Sequence, residues 1–201
     1  MGKKSREGPI RGLAGACCVR CRVRLEACVC DVLAAHAGEG GLATGTPLHL
    51  VLHAGEAKKS TNTGYLAARA LAGSVVHLHG REGRAIVPRP RALVLTPEGR
   101  PLAARDAGRP VFVIDAAWRQ ARRMRRKLPA LVEAEPVRLA PGPPSRYALR
   151  VGPTPAHLST LEAVARAWGV LEGPAHREAL EAILDVFVER SLALRGVKRS
   201  G

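Results

Sequence analysis

Four short apolar runs, separated by helix-forming stretches, limit most strongly what this chain can fold into. They occupy residues 46–53, 74–78, 92–95 and 111–114. None alternates apolar with polar side chains, as expected of strands covered on both faces. Helical stretches between such runs predict an α/β fold with a mostly parallel sheet and flanking helices. Asn62 reads as a cap ahead of a helix over 65–71. Thr96-Pro97-Glu98-Gly99 reads as the stop of the third strand. Two helices, near 159–169 and 174–194, close the chain. Residues 140–144, Ala-Pro-Gly-Pro-Pro, form a stiff loop and no domain boundary.

The 201 residues are 46% hydrophobic, enough for a real core, but only 3% aromatic, so Leu, Val and Ala must fill it. The net charge is +15 and the isoelectric point about 10.9. So much charge of one sign repels itself in a compact state and is eased by a polyanionic partner. No apolar run approaches the roughly 20 residues a spanning helix needs, and no signal-peptide core follows the charged start. The expected setting is cytoplasmic, with no membrane and no obligate protein partner. Residues 1–15 read as a basic, flexible arm, 16–33 as a metal-binding segment, and 34–201 as the catalytic domain.

All five cysteines lie in the second of these. Cys18-x-x-Cys21 can put two thiolates on one ion, and Cys28-x-Cys30 can supply two more. That is the four-thiolate set of a structural zinc site, with no open position for chemistry. Cys17 is left over. An iron–sulfur cluster is the chemical alternative.

The polar stretch from His53 to Gly64 leaves a strand and enters a helix, where backbone N–H groups and the helix dipole favour an anion. It holds Lys58 and Lys59, candidates for RNA contact. Asp115 follows the fourth strand, the position at which open α/β sheets bind ligands. It is a candidate proton acceptor or the cap of the next helix. Trp118 can stack a base or pack beneath the pocket. Six of the nine residues 119–127 are cationic. Arg119, Arg122, Arg123 and Arg126 recur at helical spacing on one face. Like charges there repel, so a phosphate-binding surface is the expectation, with those cations also keeping Asp115 ionised. Ser159 and Glu162 form a capping box that starts a helix.

The order of these pieces is itself a signature. It runs Cys18-x-x-Cys21, Cys28-x-Cys30, His53-x-x-Glu56, Asn62-Thr63-Gly64 and Leu95-x-Pro97. It continues Asp115-x-x-Trp118 with its basic tail, Tyr147-x-Leu149-Arg150, and Leu158-Ser159-Thr160-Leu161-Glu162-Ala163. The chain resembles the DTW-domain proteins, the tRNA-uridine aminocarboxypropyltransferases, from about Cys18 to Trp168. It departs from them at Ala117, where the family has threonine, and at Ala54, where it has proline; Thr160 could supply the missing hydroxyl.

The resemblance implies a SPOUT-like fold with a C-terminal knot around the cofactor. It implies S-adenosylmethionine at Leu95, Thr96, Pro97, Leu139, Ser159 and Thr160, tRNA as partner, and Asp115 and Trp118 as catalytic residues. The implied reaction joins uridine N3 to the methionine γ-carbon. A SPOUT-type RNA methyltransferase and a non-catalytic zinc-ribbon RNA-binding protein are the rival readings.

Overall fold

A computed structural model describes residues 16–80, 85–150 and 157–196. The expected basic arm, 1–15, lies outside them. Five strands form one sheet: β1 (Leu48–His53), β2 (Val75–His79), β3 (Leu93–Pro101), β4 (Val111–Asp115) and β5 (Glu135–Arg138). Their order is β2-β1-β4-β3-β5, and every strand pairing is parallel. The expectation of covered strands holds for β1 and β4, which are buried almost throughout. It does not hold for β2, an edge strand whose Val75, Val76 and Leu78 are exposed.

The helices are α1 (Cys30–Ala37), α2 (Ala54–Ala57), α3 (Gly64–Ala70), α4 (Trp118–Lys127), α5 (Pro129–Val132), α6 (Thr160–Leu171) and α7 (Pro174–Ala193). Leu48, Leu50 and Leu52 of β1 share a core with residues of α1, α3, α6 and α7. Val51, Val94 and Phe112 point the other way, onto Met124 of α4 and Ala130 and Leu131 of α5. The sheet is therefore sandwiched between two helical layers. Among the described residues, no helix is long and apolar enough to cross a membrane.

β3 corrects the expected stop at Thr96-Pro97-Glu98-Gly99. The strand continues to Pro101, with a register shift against β5 between Leu95 and Arg100. The Thr96 hydroxyl donates to Glu98 O at 2.6 Å, and Arg138 Nε donates to Gly99 O at 3.0 Å. The turn residues thus make a bulge, and pairing resumes beyond it. β5 itself is not expected from the sequence. Its Glu135-Pro136-Val137-Arg138 is short and carries a proline, which an edge strand tolerates.

Two connections matter for the site. The chain leaves β1 toward β2 and leaves β4 past β3 to β5. Diverging connections open a crevice at the carboxyl ends of β1 and β4, the usual ligand position in such sheets.

Candidate active site and metal centre

The cysteine segment makes a tight knuckle. The Arg22 N–H donates to Cys18 O and the Cys18 N–H to Val23 O, both at 2.8 Å, with Arg22 at φ 61°. A short 3-10 turn, Leu25–Ala27, brings Cys28 and Cys30 back to the first pair. The four Sγ atoms of Cys18, Cys21, Cys28 and Cys30 lie within 4.8 Å of one another. Cys18 and Cys30 are 3.6 Å apart, Cys21 and Cys28 3.7 Å. Metal–sulfur bonds of about 2.3 Å in a tetrahedron set sulfurs about 3.8 Å apart. The set fits one metal ion, whereas a cluster of several irons would spread the sulfurs wider.

Burial pushes the Cys21 thiol up to about 11 and raises that of Cys30. At Cys18 burial also acts upward, but hydrogen bonds from the Cys21 and Arg20 backbones bring it down to about 7. A bound cation is what lets such buried sulfurs ionise together. Cys17 is buried, outside the set, and bridges to Arg24.

The knuckle is bolted to the domain at three points. Arg190 of α7 grips Asp31 with two bonds of 2.8 and 2.7 Å and also donates to Cys28 O. The Arg22 guanidinium stands 4.1 Å over the Tyr65 ring. Val23, Ala27 and Val29 join the main core.

The second centre forms around Asp115, the last residue of β4, which is buried. Its Oδ2 accepts from Asn62 Nδ2 at 2.6 Å and from the Gly64 N–H at 3.1 Å, and Thr160 adds a side-chain bond. Asn62 Oδ1 accepts from the Tyr65 N–H at 2.8 Å. A Cβ on Gly64 would stand 2.1 Å from Asp115 Oδ2, so only glycine lets the backbone come this close. The anion site expected at the entry to this helix therefore exists, and the chain's own carboxylate fills it. The N-cap of α3 is Thr63, and Asn62, one residue before it, closes the first turn through the Tyr65 N–H. Asp115 also serves α3, not α4, whose N-cap Ala117 offers no acceptor.

A second correction concerns charge. Burial raises the Asp115 carboxyl, against the pull of the Asn62 bond, and the charge of Glu56 adds to the rise. The cation that acts on it is Arg150. Arg119, Arg122, Arg123 and Arg126 are exposed, and none of them acts on this carboxyl as Arg150 does. They do not keep it ionised.

Residues far apart in sequence complete the centre. Buried Glu56 takes Lys59 Nζ at 2.5 Å and Arg150 Nη1 at 2.6 Å, and despite burial these cations hold its carboxyl below the usual range. Lys59 is thereby engaged, while Lys58 ends α2. Arg150 Nη2 donates to Thr61 Oγ1 at 2.7 Å and the Tyr147 hydroxyl to Thr61 O at 2.6 Å. The capping box on α6 is present, and Glu162 does more than close it. It accepts from Ser159 N and Ser145 Oγ at 2.7 Å and from Arg146 N at 2.6 Å. Residues 145–150 are thus stitched to the 54–63 loop and to the start of α6.

Of the residues expected at the cofactor, Ser159 and Thr160 lie in this centre. Leu95 and Leu139 pack half-buried against the core they share with Tyr147. Thr96 is half-buried and Pro97 exposed at the bulge. Trp118 is not core: it is 42% exposed and meets His157 edge-on. The sequence does not single out Thr61, Tyr147 and Arg150 as site residues. Their signal is the Tyr-x-Leu-Arg spacing, which carries no chemistry until the fold brings it to Thr61 and Glu56.

Fold and site define an all-parallel α/β protein with a carboxylate centre at its strand ends and a four-cysteine knuckle placed to hold a metal. The model of the DTW domain matches residues 15–192. The chain belongs to the DTW-domain family, a family of tRNA modification. No curated protein and no solved structure matches it.

Proposed function

We propose that this protein transfers the 3-amino-3-carboxypropyl group of S-adenosylmethionine to N3 of a uridine in tRNA. The observation that carries the reading is the convergence of Glu56, Asn62, Gly64, Tyr147, Arg150 and Thr160 around one buried carboxylate. These residues come from family motifs that have no local reason to meet.

S-adenosylmethionine, when bound, supplies an electrophilic γ-carbon on a sulfonium leaving group. The donor set suits it. Leu95 and Leu139, with Thr96 and Pro97 beside them, offer an apolar wall with a hydroxyl for the adenosine. Ser159 and Thr160 open α6, where the helix dipole favours a carboxylate. The first-turn N–H groups of Leu161 and Glu162 already have partners, and the Thr160 hydroxyl is given to Asp115, which leaves the Ser159 hydroxyl and the Thr160 N–H as donors. Asp115, once ionised, gives the negative charge that a sulfonium and an ammonium require, the charge of Glu56 being met by Lys59 and Arg150.

Asp115 accepts the N3 proton. Uracil N3–H is a weak acid, and a base works best when its own pKa is lifted toward that of its partner and the working pH. Burial moves Asp115 in that direction. Asn62 and the Gly64 N–H hold Oδ2 and so aim the carboxyl group. The exposed arginines of α4 bind phosphate, and zinc at the four cysteines holds the knuckle folded. A SPOUT-like, knotted topology belongs to the same proposal. It is supported by the parallel sheet and by the bonds that tie residues 145–150 to the 54–63 segment and to the start of α6.

The test is incubation with bulk tRNA and S-adenosylmethionine, followed by nucleoside mass spectrometry. An aminocarboxypropyl-uridine is the expected product. A methylated nucleoside assigns the chain to SPOUT-type methyl transfer instead. No product, together with tRNA binding, assigns it to a non-catalytic zinc-ribbon role.

A further inference from the structure

We propose that Trp118 and His157 form a stacking platform for a base of the single-stranded tRNA segment that carries the target uridine. The inference rests on the tRNA-modifying reading but not on which group is transferred.

The chain has two tryptophans, treated in opposite ways. Trp168 is fully buried, with its Nε1 donating to Thr44 Oγ1 at 3.1 Å. Trp118 is 42% exposed. It is the first residue of α4, a helix that buries only Met124. Packing therefore does not account for an indole at this position. The ring is nonetheless held: the His157 ring lies perpendicular to it with centroids 4.5 Å apart. A perpendicular contact covers at most one face of the indole, and the side chain remains 42% exposed for a further ring to cover.

Position says what would stack there. Two interactions join the same pair of segments: Thr160 to Asp115, and His157 to Trp118. Segments 115–118 and 157–160 therefore run side by side, with the carboxylate at one rung and the indole at the other. Three residues of chain span at most about 10–11 Å. Stacked nucleotides rise about 3.4 Å each, so a base on Trp118 is the target or a close neighbour of it. The cationic face begins on the next residue. Arg119 to Arg126 covers about 10 Å of helix, and among the described residues these arginines enter no ion pair. An aromatic face followed by a cationic track is how single strands are bound: bases stack on the ring and phosphates follow the charge.

Intrinsic fluorescence tests this, because one tryptophan is exposed and the other buried. Titrating the full-length, metal-loaded protein with tRNA, without S-adenosylmethionine, should quench emission. The quench should persist in Trp168→Phe and vanish in Trp118→Phe. Trp118→Ala should weaken tRNA affinity between about fivefold and 150-fold, the equivalent of about 1–3 kcal/mol for one stacked base. Trp118→Phe should restore most of it, and unchanged Trp168 emission reports an intact fold. Unchanged tRNA affinity in Trp118→Ala overturns the platform. So does a quench produced by S-adenosylmethionine alone and not deepened by tRNA, which would give the indole to the cofactor's adenine. A methylated product with an intact quench would sink the proposed reaction and leave the platform standing.

Discussion

The cysteine knuckle and the Asp115 centre solve one problem, gathering negative charge, in opposite ways. The knuckle draws its four donors from Cys18 to Cys30 and aims them at one point, where backbone N–H groups of the same segment are the partners of Cys18 and Cys21. The Asp115 centre draws on residues from Glu56 to Glu162, and the chain supplies the partners. Lys59 and Arg150 meet Glu56; Asn62 and Gly64 meet Asp115; Ser159, Ser145 and Arg146 meet Glu162. In the first case the donor set is one that could hold an outside cation. In the second, the tertiary fold fixes the charge and keeps one carboxyl poised above its ordinary range.

Removing the ion should therefore be the most damaging change. Structural zinc in finger peptides contributes apparent free energies of about 10–16 kcal/mol. Strong chelation should melt the knuckle, release Arg190 from Asp31, and lower the thermal midpoint well beyond any single surface substitution. Cys21→Ser should do the same, and Cys17→Ser should leave metal content unchanged. Elemental analysis finding less than about half an equivalent of metal in protein purified without chelator would end the structural-ion argument.

At the other centre the same kind of change should spare the fold and remove the chemistry. Asp115→Asn keeps the shape and an acceptor for Gly64, but loses the base. Base loss lowers rates about 10²- to 10⁴-fold. The folded pKa of Asp115 lies above its unfolded value of about 3.9. Its contribution to stability is present below that value and lost as pH rises through the folded pKa. At neutral pH the carboxylate therefore burdens the fold, and the asparagine variant should melt no lower than the parent. The parent's activity should rise with pH through a pKa above the ordinary carboxylate range, and the variant should lack that limb. Near-parental turnover in the variant would reduce Asp115 to a cap of α3.

The α4 surface should respond more gently. Changing Arg119, Arg122, Arg123 and Arg126 to glutamine should lower tRNA affinity at all sequences alike. The slope of log affinity against log salt should shrink by about 0.7–0.9 for each phosphate that is no longer neutralised. An unchanged slope would make the face a solvated surface.

What could be read in advance follows the same division. The knuckle was legible because its donors are sequence neighbours and sulfur chemistry restricts what they can do. β1, β4 and the α6 capping box were legible because hydrophobic runs and side-chain caps are local. The Asp115 carboxylate was legible as a group at a strand end, but its partner helix and its charge state were not. The first depends on Asn62 and Gly64 arriving from another segment and the second on burial in the assembled fold, neither of which a local pattern records. The bulge in β3 escapes a sequence reading for a related reason. Thr-Pro-Glu-Gly is a turn sequence, but pairing with β5 resumes past it because Arg100 and Pro101 find Val137 and Arg138.

Gly64 gives the smallest predicted effect on stability and the sharpest on geometry. Alanine is a better helix former than glycine by about 0.8–1.0 kcal/mol, and position 64 opens α3, so the helix itself should gain. Against that, the new Cβ would stand 2.1 Å from Asp115 Oδ2, with the Asp115 Cγ at 2.9 Å. The carboxyl must swing away, and overpacking of this kind takes back about 1–3 kcal/mol. The two terms nearly cancel, so the thermal midpoint of Gly64→Ala should move by only a few degrees. Turnover should not escape, because the displaced carboxyl loses both the Gly64 bond and its aim. A fall in kcat of at least about tenfold, with KM for tRNA little changed, is the expected split, since small misplacements of a catalytic group alone reach that size. Unaltered kcat at unaltered stability would mean that the hydrogen bond from Gly64 to Asp115 orients nothing, and the proton acceptor would then have to be sought at Glu56 or Glu162.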